Sequence, residues 1–324
     1  MKYVFVIPDI DFLYLQYKDF EVIQDGKLVR IDYGFRRFAK LCCKFGAQKI
    51  KISYPLFYKY LKRCFSDAGV LSADKNVFIL YSRSYEDLRE IITSFIRHYY
   101  PESKIIVYYG DLISRHICKI DDVKRDTDYI YSFDKDDADL NGVKWLLEPF
   151  SSSISEMKEF SQERNKIEWD VTFVGHAKSR YEKIIRMYEI LNDYNLKCDF
   201  HITGVPKEKQ KYVGQIHYEA LPFRELLQHV VKSKCIAEVM QDNGVSPTTR
   251  YTEAMLFQKN LLTDCKYFET VENRSENIIY VNNVEDIGCK QIEDIVTQNH
   301  FDRAEYLEMF SVSKMIEKIS KDIK

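Results

Sequence analysis

The sequence carries no surplus of positive charge. Its 324 residues hold 48 Lys and Arg against 50 Asp and Glu, a net charge of -2. A chain that neutralises a nucleic-acid backbone usually shows a basic excess, so no nucleic-acid partner is expected and any important cations act locally. None of the eight cysteines (Cys42, Cys43, Cys64, Cys118, Cys198, Cys235, Cys265 and Cys289) stands in a CxxC pair, and no zinc spacing occurs. Several lie in apolar runs, as buried thiols do, which suits a reducing cytoplasm. The 11 glycines nowhere form GxGxxG, and neither GxxxxGKS/T nor GxSxG occurs. Those absences remove the dinucleotide fingerprint, the P-loop and the α/β-hydrolase elbow. No run approaches the roughly 18–20 apolar residues of a membrane span, and the apolar start Met1–Pro8 is too short for a signal-peptide core. The expectation is a soluble, cytoplasmic protein, with any membrane contact peripheral and at the inner face. Tryptophan is scarce at 2, whereas Tyr (24) and Phe (20) are plentiful and are expected first as core filling.

What is present is an alternation of short β-rich runs with helical patterns. The length suits two domains. Candidate strands in the first half are 3–7, 49–53, 76–81, 104–109, 129–133 and 143–147; in the second half they are 170–174, 199–203, 215–218, 234–239, 260–263 and 278–281. Strands separated by helices imply parallel sheets, and six runs in each half imply two similar α/β domains. Tyr181, Ile184, Ile185 and Tyr188 mark a helix face, as do Phe223, Leu226, Leu227 and Val230. The Asp25-Gly26 turn between apolar residues reads as a small hairpin after the first strand. Ser151-Ser-Ser-Ile-Ser and the charged stretch after it read as a surface linker. The expected division is 1–150, a linker at 151–169, a second domain at 170–300 and a terminal helix at 301–324.

Two segments look able to hold an anion. Gly175 ends a strand and is followed by His176, Lys178 and Arg180 before a helix start. Ser246-Pro-Thr-Thr-Arg250 lies between an apolar run and a helix, with Thr248 and Thr249 as caps and Glu253 one turn on. A glycine admits a ligand to the backbone, and a helix N-terminus with cations suits a diphosphate. Glu253 is placed to accept from the vicinal hydroxyls of a ribose. The same residues would also suit an ordinary βα turn and a capped helix with surface charges. Asp9 and Asp11 follow the first strand and Asp111 follows the fourth run; each is a candidate base or sugar-hydroxyl partner as well as a cap. Asp134 and Asp136 form a D-x-D that could hold Mg²⁺ or Mn²⁺. They belong to the first half, however, and the phosphate-binding features to the second, so helix capping is the expected role and no metal is expected on the phosphates.

The second half resembles the nucleotide-sugar-binding half of GT-B-fold bacterial glycosyltransferases of surface-polysaccharide assembly, lipopolysaccharide and capsule among them. The resemblance rests on Asp170-Val-Thr-Phe-Val-Gly-His-Ala-Lys-Ser-Arg180, Ile216-His-Tyr-Glu-Ala-Leu-Pro-Phe-Arg-Glu-Leu226, Pro247-Thr-Thr-Arg-Tyr-Thr-Glu-Ala-Met255 and Lys259-Asn-Leu-Leu-Thr263, with Tyr129–Ala138 as a further similar segment. It covers about residues 125–265 and is more specific for the fold than for the substrate. It implies two Rossmann-like parallel-sheet domains facing a cleft, the acceptor on the N-terminal side and the donor on the C-terminal side, and a final helix that crosses back to the first domain. Many relatives carry two glutamates eight apart in the donor loop; here Glu253 matches the second, Val245 stands at the first, and Asp242 or Asn243 is the substitute within reach.

The reading is therefore a metal-independent glycosyltransferase that needs no cofactor and moves a sugar from a nucleotide-diphosphate donor to a glycan or lipid-linked acceptor. Two alternatives stand beside it: a nucleotide-sugar epimerase on the same fold, and a catalytically silent nucleotide-binding partner of another transferase.

Overall fold

Apolar residues line both faces of the first strand. In β1 (Lys2–Pro8) Tyr3, Phe5 and Ile7 point one way and Val4 and Val6 the other, and all five are buried. A strand with two apolar faces needs helices above and below it, as in a parallel sheet. The computed structural model describes residues 1–44, 47–72, 75–162, 166–242, 244–271, 275–297 and 309–323. It contains two compact units, one of residues 1–151 with 312–324 and one of residues 152–311.

In the first unit β1 is followed by β2 (Gly26–Ile31), β3 (Asn76–Tyr81), β4 (Lys104–Tyr109), β5 (Tyr129–Ser132) and β6 (Lys144–Trp145). All pair in parallel, in the order β2-β1-β3-β4-β5-β6. The second unit holds β7 (Trp169–His176), β8 (Cys198–Thr203), β9 (Ile216–His217), β10 (Ser233–Glu238), β11 (Asn260–Thr263) and β12 (Ile278–Tyr280). Its order β12-β11-β10-β7-β8-β9 is the doubly wound arrangement of dinucleotide-binding folds. Both sheets reverse direction once, between β1 and β3 and between β7 and β10, and ligands of open α/β sheets bind outside the carboxyl ends of strands at such points.

Eleven of the expected strands lie where they were placed, to within a residue or two at their ends. The run 49–53 is not a strand; it lies inside a helix, Ala47–Asp67. Its local alternation is overridden by the helical spacing of Phe57, Leu61 and Phe65, all fully buried against one face of the sheet. The second strand is β2 instead. Asp25-Gly26 is not a hairpin turn, because β1 and β2 run parallel with Tyr3 opposite Gly26, and the connection runs through the helix Asp11–Tyr17. Gly26 is required by packing: a Cβ there would lie 2.6 Å from the Phe20 carbonyl and 2.4 Å from Ile23 Cγ1.

The expected linker is folded into the second unit. Ser152–Glu156 and Lys158–Ser161 form short helical turns, and Phe160 is buried with its ring 5.8 Å from that of Phe257. The helix Val312–Asp322 belongs to the first unit, where Val312, Met315 and Ile319 are buried with Tyr3, Phe5, Val77 and Tyr131. Asp322 accepts from the Tyr131 hydroxyl at 2.8 Å and pairs with Lys144 at 3.1 Å. The part of the expected terminal helix at 301–308 lies outside the described residues. Among the described residues no helix is long and apolar enough to cross a membrane.

Ile319→Ala removes buried methyl groups from the face shared with β1 and should destabilise the protein by about 2–5 kcal/mol in urea denaturation. Lys321→Ala, on the exposed side of the same helix, should leave the midpoint nearly unchanged. Equal effects of the two substitutions would contradict this packing.

Candidate functional site

The end of β7 is shaped by two glycines and a left-handed lysine. Gly204, at φ +76°, allows the His176 ring to lie against it; a Cβ there would come within 2.1 Å of His176 Cε1. Lys178 has φ +46°, an unfavourable conformation for a residue with a side chain, and its N–H donates to His176 Nδ1 at 3.2 Å. Arg180 leaves this turn and donates through Nη2 to the His176 carbonyl at 3.3 Å and through Nη1 to the Val239 carbonyl, with its guanidinium over the Phe173 ring at 5.8 Å. Arg180 thus ties the end of β7 to the end of β10. A Cβ on Gly175 would lie 3.2 Å from Arg180 Nη2, so the glycine makes room for the guanidinium.

The chain leaves β10 through Glu238, which the sequence reading did not single out. Its carboxyl is buried and accepts from Thr248 Oγ1 at 2.5 Å, the Thr248 N–H at 3.3 Å and Thr263 Oγ1 at 2.6 Å. Burial raises its pKa, and those hydroxyl donors oppose the rise. Thr248 also caps the helix Thr249–Phe257 by accepting from the Arg250 N–H at 3.2 Å. The Thr248 amide, expected to face a phosphate, is thus turned towards Glu238. Thr249 opens the helix, and its carbonyl accepts from Thr252 Oγ1 at 2.8 Å. One turn on, Glu253 is fully buried and its Oε2 accepts from Arg250 Nη1. Its other oxygen, Oε1, is buried and makes no hydrogen bond among the described residues. Burial pushes this carboxyl up to about 7, against the pull of Arg250 and with a smaller push from Glu238. Arg250, expected on a phosphate, therefore also balances the glutamate beside it. Of the two expected substitutes for the first glutamate, Asp242 is described and Asn243 lies outside the described residues.

The acids of the first unit lie at the carboxyl edge of its sheet but not in one cluster. Asp9 pairs with Arg30 at 2.7 Å and Asp11 opens the helix after β1. Asp111, after β4, accepts from the Leu112 N–H at 2.9 Å and from Arg115 at 2.8 Å, with β3 between the two strands. A further acid belongs here. Glu148 is buried beside the end of β4, where a Cβ on Gly110 would be 2.7 Å from its Oε1 and 2.8 Å from the Tyr81 hydroxyl. The Tyr17 hydroxyl donates to Glu148 at 3.1 Å. Burial pushes its carboxyl up to about 7, hydrogen bonds from Gln16 and Tyr17 pull it down, and Asp111 adds a smaller push. A carboxyl poised near neutrality at this edge is a candidate acid or base. Its sequence signal is an acid in the apolar run Leu146-Leu-Glu-Pro-Phe150; Glu238 carries the same signal in Ile236-Ala-Glu-Val239.

In the D-x-D segment Asp134 is engaged in local structure and Asp136 is not. Asp134 caps the helix Lys135–Asn141 by accepting from the Asp137 N–H at 3.1 Å, and Asp137 accepts from Ser132 Oγ at 2.8 Å and the Ile113 N–H at 3.1 Å. Asp139 pairs with Lys135 at 2.7 Å, and Asp136 is exposed.

No protein-family model matches the chain, and no curated protein matches it either. Solved structures do. An alpha-glucosyltransferase in complex with UDP and a mismatched 13-mer DNA is similar over 100% of this chain and 99% of its own, with a TM-score of 0.63 and 12% identity. Anabaena HepE in complex with UDP and glucose covers the same shares with a TM-score of 0.55 and 12% identity. The fold is of the GT-B type: two Rossmann-like domains, each with a six-stranded parallel sheet.

Glu148 supplies a pH test. Its carboxyl ionises near 4.5 in an unfolded chain and at about 7 in the fold, so between those values the unfolded state loses its proton first. Stability should fall as pH rises through that window, by at most about 3 kcal/mol, and then level off. Glu148→Gln should remove this part of the slope in urea denaturation between about pH 5 and pH 7. The slope from Glu253 is common to both proteins and cancels in the difference. Parallel stability curves for the two proteins would refute the assignment.

Proposed function

We propose that the protein is a glycosyltransferase that moves a sugar from a nucleotide-diphosphate donor, in the first instance a UDP-sugar, to a glycan or lipid-linked acceptor in surface-polysaccharide assembly. The observation that carries this reading is the arrangement at the switch point of the second sheet. There the His176–Arg180 turn after β7 is braced to the end of β10, and the helix after β10 presents Arg250 and the unpartnered Oε1 of Glu253. A buried acceptor oxygen without a donor is costly, and a ribose hydroxyl would satisfy it. The UDP in the two similar structures supports the same nucleotide here.

In this reading Gly175, His176, Lys178 and the helix start at Thr249 receive the diphosphate, with Thr248 as the helix cap, Arg180 holding the turn in shape and Arg250 shared between phosphate and Glu253. Glycosyl transfer passes through an oxocarbenium-like state, so stabilising the departing diphosphate matters most. The cationic turn and the helix dipole supply that charge without a metal. The base for the acceptor hydroxyl is sought among Asp9, Asp11 and Asp111. Glu148 joins them, because its perturbed carboxyl changes protonation near neutral pH.

A thermal-shift screen against UDP, GDP, CMP and dTDP should single out one nucleotide, because a ligand of the folded state raises apparent stability. Incubation with the matching nucleotide-sugar should then give transfer or slow hydrolysis. Isomer formation would point to an epimerase, and binding without turnover to a silent partner. Duplex DNA belongs among the acceptors offered, since one similar structure contains it. Arg250→Ala and Glu253→Gln should each weaken nucleotide binding by ten- to hundredfold, about 1.5–3 kcal/mol, while leaving the protein folded. Unchanged calorimetric affinity in both would reject the site.

The role of metal is tested separately. Transfer should persist in excess EDTA, and Asp136→Asn should leave donor binding nearly unchanged. Activity lost to chelator and restored by Mn²⁺ or Mg²⁺ would move the phosphate site to the Asp134–Asp139 segment.

A further inference from the structure

Away from the donor residues, β8 carries a cluster that the proposed reaction does not use. Phe200 and Ile202 belong to the core under the helix Tyr181–Asp193, so Asp199 and His201 project from the opposite face. The helix Phe223–Val231 brings His229 to the same place from 30 residues away. His201 Nε2 lies 2.9 Å from Asp199 Oδ1, and His229 Nδ1 lies 2.7 Å from Asp199 Oδ2. Thr172 Oγ1 donates to the Asp199 carbonyl at 3.1 Å and to Oδ2 at 3.3 Å, steadying the carboxylate. The ligating atoms of the two imidazoles and the carboxylate all lie within 4.8 Å of one another.

Burial decides what this cluster needs. The side chain of Asp199 is 2% exposed and that of His201 6%, whereas that of His229 is 32% exposed. A buried carboxylate must be matched by positive charge. His201 Nδ1 is buried and makes no hydrogen bond among the described residues. Imidazoles beside a carboxylate are a donor set for a cation. Two histidines and one aspartate are nitrogen and oxygen ligands suited to zinc and its neighbours rather than to calcium. Ligand bonds of about 2.0–2.2 Å to a tetrahedral ion require donor atoms roughly 3.3–3.6 Å apart, so the present contacts of 2.9 and 2.7 Å to the carboxylate must lengthen by about half an ångström to admit the ion. A cavity of about 390 Å³ adjoins the cluster, lined by His201, His217, Tyr218 and Glu219, with the His217 ring stacked on His201 at 4.6 Å. It leaves room for water beside His201.

We propose that Asp199, His201 and His229 form a binding site for a divalent transition metal of the zinc class, completed by solvent from the adjoining cavity. The ion takes the place of the hydrogen bonds that now join the two rings to Asp199. It pins β8 to the helix Phe223–Val231 and so stabilises the second unit. It takes no part in holding the donor phosphates, whose proposed ligands follow β7 and β10.

The test uses tag-free, full-length protein stripped with chelator and titrated with Co²⁺, followed by visible absorption and then by Zn²⁺ competition in calorimetry. One equivalent of Co²⁺ should give the d–d bands of a low-coordinate site, and Zn²⁺ should abolish them. Zn²⁺ should also raise the melting temperature of the stripped protein. His229→Ala should lower affinity at least a hundredfold and remove the thermal shift. Because that ring is partly exposed, this variant should fold, as circular dichroism of the metal-free protein will show. Asp199→Asn and His201→Ala should act in the same direction. Absence of saturable one-to-one binding would overturn the proposal, as would binding that is unchanged in His229→Ala. Neither result depends on transferase activity, so the donor-site reading stands or falls separately.

Discussion

A parallel strand cannot be reached from its neighbour by a tight turn, and the structure follows from that constraint. Every pairing between named strands is parallel, so each connection crosses from one edge of its sheet to the other. The crossing segments cover both faces and make the strands apolar throughout, as β1 and β3 are. The segments that leave the carboxyl ends are released from this duty. Residues 176–180, 239–248 and 110–112 can therefore carry histidine, lysine, threonine and acids without disturbing the core.

Burial of acids is the second theme. Glu148, Glu238, Glu253 and Asp199 are all nearly inaccessible, and each is accommodated differently. Glu238 is met by two threonine hydroxyls and an amide, and Glu253, among the described residues, by one arginine on one oxygen. Glu148 rests among tyrosines that cannot cancel its charge, and burial keeps its proton on towards neutrality. Asp199 has two imidazoles, which hold its carboxyl well below the usual range although burial alone would raise it. A fully satisfied acid is a structural pin, whereas one left with an open oxygen or a shared proton retains free energy that a ligand can release.

The fold was largely legible because apolar runs bounded by turn residues report parallel strands directly. The failure at 49–53 is informative: five alternating residues look like a strand, but the longer stripe of Phe57, Leu61 and Phe65 decides the element. Gly26–Ile31 was obscured by an Asp-Gly pair that ordinarily signals a hairpin and here only precedes a strand. At the candidate site Gly175 and Thr248 could be placed from the sequence, because a strand end and a helix cap are local features. What Arg180 and Arg250 touch could not be read, since it depends on Val239 and on the burial of Glu253. The Asp199 cluster was invisible for the same reason: its histidines come from a strand and a helix with no common motif, and only the crossover brings them together.

The terminal helix has a consequence for biogenesis. Val312, Met315 and Ile319 help to cover the face of the first sheet that carries Tyr3, Phe5 and Val77, yet the ribosome makes them only after residues 152–311. The second unit, a continuous stretch of residues 152–311, is complete before they emerge. During synthesis the N-terminal sheet therefore waits with part of an apolar face uncovered while the later unit is already able to fold, reversing the usual order in which domains mature along a nascent chain. A chain cut short before residue 312 would retain every strand of both sheets and still expose that face, a form suited to recognition by chaperones and proteases.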